Sequence, residues 1–285
     1  GINNVVLLES INTLKKRRYY DIVFDTEQYI NASAMASFFL GKEVIGYSHG
    51  QRRKLYTHQV AFNDQQHTVE TFFDLLRAKI PEVTAPKSLV KLEYSKEDER
   101  VVKDVLLECD VSDDDLLVGI CASTAESALS RRWSKEKFAQ LADLLIEKYQ
   151  AKVILQSGPG EFEVNENVYK LIKNKERVWN IAKHLTTVQK TFAIIDQCNL
   201  FISNDTGPMH VAAAQGVQTV GLFGPNTPVR YGPYGPQCVS VYKPFLESPC
   251  INVHKGKVPD CSEHNHMSKI KVEGVMEAVK RVMGK

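Results

Sequence analysis

Phe201-Ile-Ser-Asn-Asp-Thr-Gly-Pro-Met-His-Val-Ala-Ala-Ala-Gln-Gly216 runs from a strand through a turn into a helix. Leu200 to Ser203 is an apolar run of strand length. Asp205 and Thr206 carry side-chain oxygens suited to capping the helix that follows. Gly207 lets the backbone approach a ligand closely. Pro208 suits the first helical turn, where its missing N–H costs no bond, and Gly216 closes the helix. A helix N-terminus at the carboxyl end of a parallel strand is where an open α/β sheet binds anions, diphosphates above all. His210 in the first turn adds a donor. The residues alone fit a second reading equally, a well-capped helix with a surface histidine.

Three neighbouring segments have the same character. Downstream, Gly221-Leu-Phe-Gly-Pro-Asn-Thr-Pro228 and Tyr231-Gly-Pro-Tyr-Gly235 are glycine- and proline-rich exits that suit the wall of a ligand cleft, or simple turn chemistry. Upstream, Cys121-Ala-Ser-Thr-Ala-Glu-Ser-Ala-Leu-Ser-Arg-Arg-Trp133 leaves a strand through the hydroxyls of Ser123 and Thr124. It then reaches Arg131 and Arg132, which either neutralise a diphosphate or face solvent with Trp133 packed as an anchor. Between them, Ser157-Gly-Pro-Gly-Glu161 is a strand exit in which Glu161 is placed to accept hydrogen bonds from a ribose. It is not GxGxxG, because Phe162 and Glu163 fill the later positions, and no GxxxxGK[ST] is present. Nicotinamide dehydrogenases and P-loop ATPases are therefore disfavoured.

Strands and helices alternate outward from this region. Strands are expected at Leu116–Ala122, Ala151–Gln156, Val178–Ile181, Leu200–Ser203 and Thr219–Phe223. Helices are expected at Ser134–Tyr149, Glu163–Lys173, Thr187–Gln197, Pro208–Gln215 and Val272–Met283. This is the pattern of βαβ units and a parallel sheet. The first part of the chain repeats it less regularly, with strands at Val5–Leu8, Tyr20–Asp25 and Glu43–Tyr47. Helices are expected through Lys15–Arg18, over Asn31–Leu40 and Thr68–Ala78, and near 95–108. The acidic run Asp113-Asp114-Asp115 marks the expected boundary. The expected domains are then 1–112, 113–270 and a last helix, 271–285, returning toward the first domain.

The 285 residues suffice for two domains, and 43% apolar with 25% charged residues is the balance of a globular protein. A net charge of +2 from 36 basic and 34 acidic residues gives no global signal for nucleic acid. No apolar run approaches the roughly 20 residues of a membrane-spanning helix. Six scattered cysteines without a CxxC pair read as reduced and cytosolic. Cys250 and Cys261 lie near His254, His264 and His266 in sequence, but their spacing matches no standard zinc set, and no metal site is expected.

Asp205-Thr-Gly-Pro-Met-His210, Leu222-Phe-Gly-Pro225 and Tyr231-Gly-Pro-Tyr-Gly235 resemble the signature of the ADP-heptose:lipopolysaccharide heptosyltransferases, glycosyltransferase family 9. Arg132-Trp133 after a Ser/Thr loop and the Gly158-to-Glu161 turn come in that family's order. The resemblance is strong over 116–285 and looser over 1–110. It implies an α/β fold of the GT-B kind: two Rossmann-like domains with parallel sheets, the N-terminal one incomplete.

The resemblance also implies roles: 1–112 would be the acceptor-side domain and 113–270 the nucleotide-sugar domain. Asp205, Thr206 and Gly207 would hold the diphosphate-sugar, with His210, Ser123 and Thr124 at the phosphates. Arg131 stands where the family has a lysine, and the loop length leaves open which of Arg131 and Arg132 takes its place. Glu161 would meet the ribose, and Leu185 and Thr186 the adenine. Arg52, Arg53 and Lys54 would draw an anionic acceptor. The family's first strand and Gly-Asp loop, which carries its general base, find no counterpart before Gly1-Ile2-Asn3. The base is therefore expected to be missing, or replaced by Asp25 or Glu27. The implied activity is inverting, metal-independent transfer of heptose from ADP-heptose to the inner core of lipopolysaccharide. It needs no cofactor and no nucleic acid, and it would occur in the cytoplasm or at the cytoplasmic face of the inner membrane, in peripheral contact with it. The rivals are a non-catalytic nucleotide binder and a related transferase with another sugar donor or a protein acceptor.

Overall fold

A computed structural model describes residues 18–28, 30–158, 160–244, 248–251 and 266–284. The expected strand Val5–Leu8 and most of the basic Lys15–Arg18 stretch lie outside these residues, as do His254, Cys261 and His264. Contacts divide the chain into two compact units that meet in sequence at Ala85 and Pro86.

In the first unit, β1 (Tyr20–Asp25) is followed by helix α1 (Asn31–Leu40), β2 (Gly41–Tyr47), β3 (His58–Val60) and α2 (Thr68–Arg77). The strands form a parallel sheet in the order β1-β2-β3, with Val23 opposite Val44 and Ile45 opposite His58. Ala34 of α1 packs with Val44 and Tyr56 on one side, and Leu75 of α2 packs with Ile45 and Tyr47 on the other. Gly46 is required where it stands, because a Cβ there would run into the Tyr56 ring. The short strand β3 was not anticipated from sequence.

The second unit begins with α3 (Lys96–Glu108), started by a reciprocal capping box between Ser95 and Asp98. Then come β4 (Leu117–Cys121), α4 (Lys135–Tyr149), β5 (Lys152–Leu155), α5 (Phe162–Tyr169), β6 (Val178–Asn180) and α6 (Val188–Asp196). The remainder is β7 (Leu200–Asn204), α7 (Gly207–Gln215), β8 (Gln218–Phe223), α8 (Pro228–Tyr231), β9 (Cys238–Tyr242) and α9 (Val272–Met283). The last strand and the short α8 were absent from the sequence reading. The sheet is parallel throughout, in the order β6-β5-β4-β7-β8-β9. This is the doubly wound Rossmann order, and its direction reverses between β4 and β7.

Both faces are covered, as a parallel sheet requires. Val118, Ile120, Phe138, Leu141 and Val275 form one core, under α4 and α9. Leu117, Ile154, Ile194, Phe201 and Ala212 form the other, under α3, α6 and α7. Gly119 lets Phe201 lie against β4, since a Cβ would fall 2.5 Å from its ring.

Two expectations about the layout differ from what is found. Sequence reading placed the boundary near Asp113, yet α3 packs on α6 of the second unit. The segment before α3 is tied there as well: the Gln215 side chain bonds the Leu92 N–H at 2.9 Å and the Leu92 carbonyl at 3.1 Å. The Tyr94 hydroxyl donates to Asp196. Helix α9, expected to return toward the first domain, buries Val272, Val275 and Val279 in the second unit's core, against β8, β9 and α4. Among the described residues, no helix is long and apolar enough to cross a membrane.

Candidate functional site

The reversal between β4 and β7 leaves a crevice at the carboxyl ends of these strands, the place where doubly wound sheets bind ligands. A cavity of about 470 Å³ lies there. The exit of β4 supplies Cys121, Ser123, Thr124 and Arg131, that of β5 supplies Gly158 and Glu161, and that of β7 supplies Asp205, Thr206, Gly207 and Pro208. A second cavity of about 410 Å³, lined in part by Leu117 and Asn199, opens at the rim where β4 and β7 begin. That rim presents strand starts rather than helix N-termini, so it offers less to an anion.

Helix α7 starts at the crevice without a side-chain cap. The cap expected from Asp205 and Thr206 is not made, because their oxygens are turned elsewhere. The Thr206 hydroxyl lies 3.4 Å from the Asn204 carbonyl and 3.2 Å from the Ser203 hydroxyl. Asp205, only 5% exposed, accepts from Asn226 Nδ2 at 2.9 Å through Oδ2, which is also 3.3 Å from Arg131 Nη1. Helix α7 therefore starts at the cavity with no side chain capping its first N–H groups. Gly216 closes the helix in the left-handed region, at φ +82°.

The two arginines separate. Arg131 lines the cavity, and its buried Nε has no partner among the described residues. Arg132 turns back, donating to the Thr124 carbonyl at 2.8 Å and to its hydroxyl at 3.3 Å. Trp133 is the packed anchor, with its indole N–H on the Ile270 carbonyl at 3.0 Å. Asn204 ties the β4 and β7 exits together: its amide donates to the Ala122 carbonyl, and its oxygen accepts the Trp133 N–H. On the cavity wall, Cys121 Sγ lies 3.6 Å from the Ser123 hydroxyl, and complete burial pushes its thiol pKa up. Glu161 Oε2 accepts the Gly158 N–H at 3.1 Å, and Gly160 supplies the positive φ this turn needs.

Besides Arg132, three residues predicted to meet the nucleotide sugar stand apart from the cavity lining. His210 is half-buried in the first turn of α7, Leu185 is buried in the core, and the exposed Thr186 accepts from Lys190 Nζ at 2.9 Å. Sequence reading missed Asn226 and Cys121. Asn226 lies in the glycine- and proline-rich exit read as a cleft wall or simple turn chemistry, and its link to Asp205 spans two strand exits.

In the first unit, Asp25 and Arg52 form a buried ion pair at 2.9 Å, each 4% exposed. Asp25 Oδ2 also accepts from the Tyr56 hydroxyl at 2.6 Å and from Ser33, while Oδ1 accepts the Glu27 N–H. Burial first, and the bond to Asp25 second, push the Tyr56 phenol up to about 12. Asp25 thus has the setting of a structural carboxylate rather than a proton acceptor, and Arg52 faces inward rather than toward an acceptor. Arg53 and Lys54 are exposed. Glu27 binds the N–H groups of Gln28 and Ile30.

Among the described residues, no group of three or more His, Cys, Asp or Glu is placed to hold a metal. Cys250 Sγ lies 2.8 Å from His266 Nε2.

A family model described as glycosyltransferase family 9 (heptosyltransferase) matches residues 10–258. The lipopolysaccharide core heptosyltransferase OpsX of Haemophilus influenzae is 27% identical, with 94% of this chain matching 76% of that protein. Lipooligosaccharide heptosyltransferase 2 of Campylobacter jejuni is 28% identical over 54% of this chain. The chain covers 47% of that relative, about half its length. Among solved structures, a family 9 glycosyl transferase from Veillonella parvula superposes with a TM-score of 0.73 at 24% identity, over 97% of this chain and 76% of its own. The Escherichia coli ADP-heptose lipopolysaccharide heptosyltransferase II follows at 0.65 and 20%, over 92% and 75%. These two likenesses speak for the fold.

Proposed function

We propose, from the premise that this chain belongs to glycosyltransferase family 9, that it transfers a heptose from ADP-heptose to the inner core of lipopolysaccharide. The observation that carries the reading is the order of polar groups around the crevice. Glu161 stands at the exit of β5, the donors Ser123, Thr124 and Arg131 at the exit of β4, and Asp205 at the exit of β7. Carboxylates flank a set of donors that includes the uncapped start of α7. A diphosphate between two hydroxyl-bearing sugars has the complementary pattern: anionic in the middle, hydrogen-bond donors at both ends. Glu161 then takes the ribose and Asp205 the transferred sugar.

The chemistry is a direct displacement. An acceptor hydroxyl forms a bond to the anomeric carbon while the bond to the diphosphate oxygen breaks, and the configuration inverts. The departing ADP takes the electron pair, and charge develops on its terminal phosphate. Arg131, the hydroxyls of Ser123 and Thr124, and the α7 dipole stabilise that charge. They supply the charge neutralisation a metal ion would otherwise provide, so the reading is metal-independent and needs no cofactor. The hydroxyl proton leaves to a carboxylate base on the acceptor side, a role for which Asp25, with both oxygens already bonded, is poorly suited. Arg53 and Lys54 are exposed cations that suit an anionic acceptor. Work at the cytoplasmic face of the inner membrane fits a lipid-anchored acceptor of this kind.

The test is a transfer assay with purified chain, ADP-heptose and heptose-deficient lipopolysaccharide, in chelator. ADP release that depends on the acceptor is expected. Release only with another nucleotide sugar would keep glycosyl transfer and discard the heptose. Nucleotide binding without turnover would favour the non-catalytic rival.

A further inference from the structure

The two carboxylates of the crevice are held in different ways. Glu161 is fixed within its own turn, by the Gly158 N–H. Asp205 is fixed from a different strand exit. Asn226, 4% exposed in the loop after β8, donates to Asp205 Oδ2 at 2.9 Å. The carboxamide is itself oriented, because its Oδ1 accepts the Thr227 N–H at 3.1 Å. That leaves the amide nitrogen, the end that can donate, facing the carboxylate. Asp205 Oδ2 is also 3.3 Å from Arg131 Nη1, and Oδ1 has no partner among the described residues.

These two holds respond differently to a ligand. A diphosphate in the crevice competes with Asp205 for the Arg131 guanidinium, since both are anions and phosphate offers it bidentate geometry. Asn226 is neutral, so a phosphate gains less from it than from the guanidinium, and one of its two amide N–H groups is already on Asp205. Without Asn226, Asp205 would face the bound diphosphate as a buried carboxylate with a weakened counter-charge. It would then rotate away from the diphosphate.

We infer that Asn226 is a positioning residue for the donor sugar: it keeps Oδ2 of Asp205 bonded when Arg131 turns to the diphosphate, so that Oδ1 stays aimed at a sugar hydroxyl. The inference rests on the nucleotide-sugar reading and adds a residue that determines how the sugar, as distinct from the nucleotide, is held. Its signature is a split. ADP alone does not use Oδ1, and ADP-heptose does.

The experiment is calorimetric titration of the full chain with ADP and with ADP-heptose, on wild type, Asn226→Ala and Asn226→Asp. Wild type is expected to bind ADP-heptose more tightly than ADP. Asn226→Ala should weaken ADP-heptose by about tenfold or more, the scale of losing a hydrogen bond to a charged group, and leave ADP within about twofold. Asn226→Asp keeps the volume, replaces the donor with a second carboxylate and should lose at least as much. In an Asp205→Asn background, Asn226→Ala should add little further loss of the sugar preference, because it acts through Asp205. Equal weakening of ADP and ADP-heptose would make Asn226 a loop anchor only and overturn the inference. So would an unchanged preference in Asn226→Ala. A wild type that binds ADP-heptose no better than ADP would overturn the nucleotide-sugar reading itself, and this inference with it.

Discussion

Asp25 and Asp205 stand in the same place in two units. Each follows or ends a parallel strand at its carboxyl end, and each is about equally buried, at 4% and 5% exposure. Their partners differ. Asp25 is enclosed by Arg52, Tyr56, Ser33 and the Glu27 N–H, which together occupy both of its oxygens. Asp205 has Asn226 and Arg131 on one oxygen and keeps the other open beside an uncapped helix. A strand-end aspartate is therefore not a ligand group by position alone. What matters is whether its own unit has already satisfied it.

The largest effect should come from breaking the closed network. Arg52→Ala leaves a buried carboxylate without its counter-charge and should destabilise the first unit by about 3–5 kcal/mol, read from urea unfolding of the full chain. A loss below about 1 kcal/mol would mean that Asp25 is not held as described. The open site should behave in the opposite way. Arg131→Ala should lower kcat/KM for transfer by about a hundredfold or more, with a smaller loss in unfolding than Arg52→Ala, because Asn226 still holds the Asp205 carboxylate. Arg132→Ala removes only a support of Thr124, so a drop of about tenfold is expected. If Arg132 mattered more than Arg131, the two roles would have to be exchanged.

The closed network should also weaken at alkaline pH. The folded state favours the protonated Tyr56 phenol, shifted from 10.0 to about 12. Its contribution is complete below pH 10 and is lost as pH rises through about 12. Tyr56→Phe should flatten the stability profile between pH 10 and 12 while leaving nucleotide binding unchanged. The remaining slope should include Tyr94, whose phenol is also pushed up by burial and by Asp196.

Much of this layout could be read from sequence because it is local. The helices over 31–40 and 272–283 follow from their own residues, and so do the strand at 20–25 and the turn through Gly216. Ser123, Thr124, Arg131, Glu161, Asp205, Thr206 and Gly207 share one cavity, because parallel strands bring their exits together. What escaped the sequence reading depends on distant partners. The boundary moved because α3 packs on α6. Arg52 looked like a free cation because the aspartate that pairs with it lies on another strand. The helix cap at Thr206 is rational from composition, yet Asn226 and Arg131 engage Asp205 instead.

The central claim is that the crevice between β4 and β7 holds the diphosphate of an ADP-sugar through the chain's own donors. Calorimetric titration of wild type and Arg131→Ala with ADP, UDP and GDP, in chelator, tests it most directly. The account predicts that wild type prefers ADP without added metal and that Arg131→Ala loses most of that affinity. Equal affinity in the variant, or a preference for UDP or GDP, would contradict it.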